Sequence, residues 1–347
     1  MSLSRLPTAV VGLGRIGQVH ARNLLELAAQ GAPAELVAIV EPLPERRGAA
    51  ARLLSDQQGA TVRAFASVGE MLAATEVEAA VVCSTTAHHE ANARALVEAG
   101  CRVLLEKPLT DSPRGDRDFA RFLDDHYPDA LMLAFQRRFD APLRWVRELV
   151  GAGRIGRPFK FVSILEDSKL MPSGYQTPGL LRDMSIHNVD ELLWLSGQRA
   201  ENPRFSGSRL YSQALTEVRE DFDDALLQFQ LGADAIGQVQ VSRNHVAGYR
   251  CETWVYGELG FVHVGGFQPD VTKVAGEAHG PEGTLERRVF PLPLVSPDAP
   301  EFVARFLPAY AEELDVFLQH VAGGTAFPVN QQDGLRATEL LEDARPV

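Results

Sequence analysis

Cysteine is scarce in this chain, with three in 347 residues, Cys83, Cys101 and Cys251. Their wide spacing builds no disulfide framework and no paired zinc motif. Each sits in an apolar, strand-like run that suits a buried free thiol. Positive charge is also short: Lys and Arg total 34 against 46 Asp and Glu, a net charge of −12. Such a surface repels nucleic-acid phosphate and anionic lipid, so neither is expected as a partner. No apolar run approaches the roughly 18 residues that a membrane span needs. No signal-peptide core precedes the first glycine-rich turn. Internal repeats, low-complexity tracts and linkers are missing as well. What remains is a globular composition, 45% hydrophobic and 23% charged. The length is enough for about two domains. A soluble, reduced, cytoplasmic protein is expected.

The first third alternates short apolar runs with helical patterns. The runs are Thr8–Val11, Leu36–Val40, Val62–Phe65, Ala79–Cys83, Val103–Leu105 and Leu131–Phe135. Strands this short and continuously apolar, separated by helices, indicate a parallel sheet covered on both faces. Ser67 with Glu70 reads as a capping box between two of them. Near Arg138 the pattern changes. The later candidate strands are Phe159–Leu165, Arg204–Tyr211, Ala225–Gln230, Ile236–Ser242, Glu252–Tyr256, Phe261–Val264 and Arg287–Phe290. Several alternate apolar with polar residues, as an antiparallel sheet with one open face requires. Helices are expected from Leu180 to Leu195 and from Glu301 to Val321. The expected fold is α/β, a doubly wound parallel sheet of Rossmann type, followed by an α+β domain with a large open, mainly antiparallel sheet. The expected domains are 1–138, with 331–347 returning to it, and 139–330.

Gly12-Leu13-Gly14-Arg15-Ile16-Gly17 is a G-x-G-x-x-G turn that directly follows a strand and opens a helix. Gly12 allows the tight turn, Gly14 lets backbone approach a pyrophosphate, and Gly17 lets the helix pack on the sheet. Glu41 ends the second strand, where a carboxylate accepts from a ribose hydroxyl and repels a 2′-phosphate. NAD is therefore expected over NADP, with Arg46 and Arg47 close by in sequence. Glu106-Lys107-Pro108 closes the fifth strand, at the sheet edge where ligands of such folds bind. An ammonium there can hydrogen-bond a substrate oxygen, or simply pair with Glu106. Asp183, His187 and Asp190 share one helix face. An Asp one turn from a His can orient the imidazole, which then takes up a hydroxyl proton near neutral pH. A local helix-stabilising pair is the plainer alternative. His with two carboxylates is also a conceivable ligand set, but no further His or Cys cluster stands nearby and no metal is expected.

The order and spacing of Gly12–Gly17, Glu106-Lys107-Pro108 and Asp183 with His187 resemble those of the Gfo/Idh/MocA oxidoreductases. Ser84-Thr85 with His89 resembles the family's loop after the fourth strand, with Thr85 at the usual proline position. Phe135-Gln136-Arg137-Arg138-Phe139-Asp140 is similar to the segment that links the family's two domains. Arg154-Ile155-Gly156-Arg157-Pro158 resembles its next turn, and Asp333-Gly334-Leu335-Arg336-Ala337 its return to the first domain. Within the family, the Gln136–Asp140 run and Leu181–His187 are most similar to inositol dehydrogenases.

The resemblance implies an oxidoreductase that takes a hydride from a secondary ring alcohol of inositol or a related cyclic polyol or sugar. Lys107 would hydrogen-bond the reacting hydroxyl, His187 would be the acid/base, and Asp183 would orient it. NAD would lie along Gly12, Gly14, Arg15, Ile16, Gly17, Glu41, Ser84, Thr85, His89, Glu106 and Lys107. Lys107, Arg138, Asp183, His187 and Tyr249 would meet the substrate. A homodimer or homotetramer would form through the open sheet. Arg250 stands where the family often has an acidic residue, and the loop Glu166–Pro178 is shorter than its counterpart in inositol enzymes. Two other functions fit the residues. Arg137, Arg138, Arg243 and Arg250 could serve an anionic sugar (a uronate, sugar phosphate or nucleotide sugar). A dinucleotide-sensing regulator on the same scaffold is the second, although such proteins should lose the Lys or His that is present here.

Overall fold

β-Branched and leucine-rich runs of four to seven residues can be buried on both faces only in a covered parallel sheet. Six elements form one: β1 (Leu6–Val11), β2 (Ala34–Val40), β3 (Arg63–Phe65), β4 (Ala79–Val82), β5 (Arg102–Glu106) and β6 (Leu131–Ala134). The computed structural model describes residues 5–167, 178–209, 221–243, 245, 247–268, 271–296 and 299–347. The strand order is β3-β2-β1-β4-β5-β6 and every pairing is parallel. This is the doubly wound order, in which the direction of winding reverses between β1 and β4. Helices α1 (Arg15–Ala29), α2 (Pro44–Gln58), α3 (Val68–Ala74), α4 (His89–Glu98) and α5 (Pro113–His126) connect the strands. Ser67 caps α3 by accepting from Glu70 N at 3.2 Å, one half of the expected capping box; the Glu70 carboxylate accepts from Ala66 N at 3.1 Å, one residue before the cap. The Lys107–Pro108 peptide is cis.

The second sheet is larger and mixed. Its strands are β7 (Pro158–Glu166), β8 (Ala200–Ser208), β9 (Asp224–Leu231), β10 (Ala235–Ser242), β11 (Tyr249–Gly257), β12 (Gly260–Gln268), β13 (Lys273–Gly280), β14 (Gly283–Pro291) and β15 (Arg345–Pro346). They lie in the order β14-β13-β12-β11-β7-β10-β9-β8-β15. Two pairings, β7 with β10 and β8 with β15, are parallel and the others antiparallel. Strand β9 alternates exposed and buried residues along its whole length, the signature of a sheet with one open face. The other face carries α6 (Ala141–Gly151) and α7 (Ile186–Ser196). One π-helical turn, Leu181–Ser185, precedes α7, so the expected helix from Leu180 to Leu195 is not α-helical throughout. Strand β13 is a further difference. Its run Lys-Val-Ala-Gly-Glu-Ala-His-Gly is rich in small residues and carries no strand propensity. The expected end of one strand, Tyr211, and most of the loop Glu166–Pro178 lie outside the described residues.

Two units result: Met1–Gln136 with Tyr310–Leu335, and Arg137–Ala309 with Arg336–Val347. The returning segment differs from the expected 331–347. The boundary falls inside the long helix α8 (Glu301–Gly323), just after Pro308. From there Tyr310 packs edge-on against the His20 ring at 5.6 Å in the first unit. In α9 (Gln331–Glu342), Gly334 passes so close to the sheet that a Cβ would lie 2.4 Å from Leu133. The last residues instead pair with β8 in the second unit. Among the described residues no helix is long and apolar enough to cross a membrane.

Candidate active site

All the turns singled out in the first unit leave the carboxyl ends of its strands. Gly12 follows β1, Glu41 follows β2, Ser84 follows β4, and Glu106-Lys107 closes β5. Gly12 has φ +88°, and a Cβ there would sit 2.7 Å from Ser84 Cα. At Gly17 a Cβ would lie 1.9 Å from Gly12 O, so the helix is pressed against its own turn. Gly14, the N-cap of α1, is exposed, and a Cβ would meet nothing within 4 Å. The three glycines thus divide as the motif requires, two for close packing and one facing open space before free helix N–H groups.

Beside this turn lies a cavity of about 450 Å³ lined by residues of α1 and α2, including Gly14, Arg15, Gln18, Arg22, Arg46 and Leu53. Glu41 is buried, and its two carboxylate oxygens accept from Leu13 N at 3.2 Å and Leu43 N at 3.1 Å. It therefore ties the glycine turn to the start of α2. Arg47 does not reach the cavity lining; its guanidinium donates to Glu41 O at 2.7 Å and Pro42 O at 3.0 Å. An open cradle, helix N–H donors, arginines and a carboxylate at the second strand's end are a donor set that fits a dinucleotide.

Around Lys107 the side chains are tightly specified. Lys107 itself is half-buried. Glu106 Oε1 lies 3.2 Å from Nε2 of the fully buried His20. After Lys107 the chain is closed by Asp116, whose Oδ1 accepts from Thr110 N at 2.7 Å and Thr110 Oγ1 at 2.8 Å. His89, expected to touch the cofactor, is instead 1% exposed, with Nδ1 2.7 Å from Pro108 O and Nε2 3.0 Å from Ser84 O. Both ring nitrogens thus lie within hydrogen-bond distance of backbone carbonyls. Burial lowers the His89 pKa, against the pull of the two carbonyls. Burial, reinforced by Glu106 and Glu313, pushes the Cys83 thiol well up, so it is no thiolate nucleophile. Ser84 Oγ accepts from Asn92 at 3.2 Å, and Thr85 Oγ1 is 3.0 Å from His88 Nδ1.

In the second unit Asp183 lies in the π-helical turn and His187 in the first turn of α7, both half-buried. The turn is held from outside: Asp221 accepts from Leu180 N at 2.8 Å and from Arg243, and an Arg243 nitrogen is 4.0 Å from Asp183. Asp190, expected on the same face as His187, is committed to Arg138, which donates through Nε at 2.9 Å and again through Nη2. Arg138, expected to meet the substrate, is thus paired with a buried carboxylate. Arg137 donates to Glu191 at 2.6 Å, Thr253 to the other oxygen of Glu191 at 2.6 Å, and Asn188 to Ser163 at 2.7 Å. Arg250 is paired with Glu252 and lies 3.5 Å from Glu166. Tyr249 is 1% exposed, and burial holds its phenol protonated far above the usual range. Among the described residues no group of three metal-ligating side chains occurs.

The positions of Asp221, Arg243 and Glu191 around the His187 helix were not legible as site support. They come from strands and helices far apart in sequence, and only the fold brings them together.

Residues 6–126 match the model of an oxidoreductase family with an NAD-binding Rossmann fold, and residues 143–263 that of the GFO/IDH/MocA C-terminal domain. The chain belongs to the Gfo/Idh/MocA family and is an NAD-binding oxidoreductase. A myo-inositol dehydrogenase of Streptomyces leeuwenhoekii is 32% identical over 97% of this chain and 96% of its own. A myo-inositol 2-dehydrogenase of Thermotoga maritima is 28% identical, covering 97% of each chain. The crystal structure of a myo-inositol dehydrogenase from Corynebacterium glutamicum superposes with a TM-score of 0.80, at 27% identity over 97% of this chain and 95% of that one.

Proposed function

We propose that the protein is an NAD-dependent dehydrogenase that oxidises a secondary ring hydroxyl of inositol, or of a related neutral cyclic polyol or sugar, to the ketone. The observation that carries this reading is Lys107 at the carboxyl end of β5, beside a glycine turn built for a dinucleotide, in a chain whose whole length resembles inositol dehydrogenases. The N–H groups opening α1, with Gly12, Gly14, Arg15, Ile16 and Gly17, would hold the pyrophosphate of NAD. Glu41 would accept from its ribose, and Ser84, Thr85 and Glu106 would line the remainder. Bound NAD supplies the hydride acceptor.

Lys107, His187 and Asp183 serve one reaction in this reading. The Lys107 ammonium donates to the reacting oxygen and lowers the cost of its developing negative charge. His187 takes the hydroxyl proton, and Asp183 orients the imidazole and favours its charged form. Tyr249, kept protonated by burial, can only donate or accept as a neutral phenol.

The reading as an enzyme of anionic sugars loses its support. Each of the four arginines that would serve it faces a carboxylate: Arg137 meets Glu191, Arg138 Asp190, Arg243 Asp221 and Arg250 Glu252. A regulatory reading is disfavoured by the retention of Lys107 and His187. The test is NAD reduction, followed at 340 nm, with myo- and scyllo-inositol, neutral hexoses, uronates and sugar phosphates. Turnover on neutral cyclic polyols is expected. Turnover confined to the anionic sugars would overturn the substrate class.

We further propose self-association through the open face of the large sheet, as a homodimer or homotetramer. Leu226, Ile236 and Phe267 project from that face, each at least 40% exposed. Ile236→Glu should shift the sedimentation coefficient toward the monomer. Three free cysteines suit a reducing, cytoplasmic setting.

A further inference from the structure

The residues on either side of Lys107 are each tied to a buried histidine from a different helix. His20, on α1, is fully buried and contacts Glu106 Oε1 through Nε2 at 3.2 Å. Among the described residues its Nδ1 makes no hydrogen bond, so this contact fixes the ring together with the edge-on packing of Tyr310. His89, on α4, contacts Pro108 O through Nδ1 at 2.7 Å and Ser84 O through Nε2 at 3.0 Å. Neither ring reaches solvent, and neither has a role in holding the cofactor or in proton transfer as described above.

A charged lysine on a four-carbon stem has much rotamer freedom, and its usefulness to a reaction depends on how well its backbone is placed. The backbone of Lys107 follows Glu106, the last residue of β5 and of its pairing with β6. We infer that His20 and His89 are positioning residues for Lys107. One holds the side chain of the preceding residue, and the other holds the carbonyl of the following one. His89 also lies 3.0 Å through Nε2 from Ser84 O, in the loop after β4. A carbonyl only accepts, so each His89 contact calls for an N–H, and the neutral ring has one. The shorter contact places that proton on Nδ1, toward Pro108.

This inference rests on the assignment of Lys107 to the reaction, and its test separates the two. Asparagine reproduces the reach of an imidazole Nδ1, and glutamine that of Nε2. The contacts to the Lys107 turn use Nδ1 at position 89 and Nε2 at position 20. His89→Asn and His20→Gln should therefore keep most of the turnover, whereas His89→Gln and His20→Asn should lose about 10²-fold in kcat, as small misplacements do. The dissociation constant for NAD, from fluorescence titration, should stay within a few-fold in all four.

A second readout needs no cofactor or substrate. The apoprotein is labelled with acetic anhydride at several pH values, and the rate at Lys107 is followed by peptide mass spectrometry against that at Lys160 and Lys273. His89→Gln and His20→Asn should change the Lys107 rate alone. The inference is overturned if asparagine and glutamine are equivalent at each position, or if Lys107 labels at the wild-type rate in every variant. If any variant fails to fold, as judged by its melting temperature, the labelling and turnover of the remaining pair still decide. Wild-type turnover in Lys107→Ala would instead strike the assignment of Lys107, leaving the labelling result to stand by itself.

Discussion

The two sheets of this protein are stabilised by different means. In the first unit the six strands are apolar almost throughout, and Val10, Ala80, Val81, Val103, Leu104, Leu105 and Leu131 through Leu133 are all fully buried. Its polar contacts gather at strand ends, where buried side chains such as Glu41, Asp116, His20 and His89 hold the turns. In the second unit charge is carried into the interior. Arg137 with Glu191 and Arg305 with Asp140 are each 5% exposed or less. Asp140 receives two bonds from Arg305, at 2.7 and 2.8 Å. Despite burial, Asp140 holds the Arg305 pKa above its ordinary value. An apolar core tolerates rearrangement of its side chains, whereas a buried pair is destabilised severely when one member is removed. The first unit can therefore vary its loops over a sheet that stays put, while the second fixes a particular arrangement around the helix that bears His187.

The largest effect that would test this contrast is loss of a buried partner. Asp140→Ala strands the Arg305 guanidinium and should cost about 3–5 kcal/mol, measured by urea denaturation. A cost near that of an ordinary surface substitution would erase the distinction. Next is the function carried at a strand end. Lys107→Ala should lower kcat by about 10²–10³-fold with the melting temperature close to wild type. A large drop in melting temperature would show that the turn supports the sheet as well as the reaction. Within the apolar sheet, Val81→Ala should cost about 2 kcal/mol through lost transfer energy and a small cavity.

The smallest effect is electrostatic. Burial works against the Glu252 carboxylate, but His263 and Arg250 outweigh it and hold the pKa below the usual range. A depressed carboxylate stabilises above its unfolded pKa of about 4.3, and that stability is lost as pH falls through the lower folded value. The difference in melting temperature between wild type and Glu252→Gln should therefore be full at pH 6 and shrink below about pH 4. A difference that grows on acidification would reverse the sign of the argument for this pair.

Much of the first unit could be read directly from sequence, because its signals are local. Apolar strands, a glycine turn and a lysine at a strand end each declare themselves within a few residues. Expectations failed where pairing is long-range. The role of His89 depends on Ser84 and Pro108, which belong to two other turns. The carboxylate partner of Arg138, Asp190, lies 52 positions away and could not be picked out from the sequence. The π-helical turn at Leu181–Ser185 interrupts a sequence that has good helical periodicity. Strand β13 is made by its neighbours β12 and β14 rather than by its own small side chains.

The segment Tyr310–Leu335 belongs to the first unit, yet the ribosome makes it only after the strands of the second, up to β14, have been completed. The six parallel strands are synthesised early but must wait for the ring of Tyr310 against His20, and for Gly334 against Leu133. Until then, apolar surface that these residues cover remains open to chaperones and to other nascent chains. A chain stopped at Gln136 carries the whole glycine turn and Lys107, but not the helix segments that seal its sheet. Such a fragment should be captured by chaperones, whereas chains extended past Leu335 should be released.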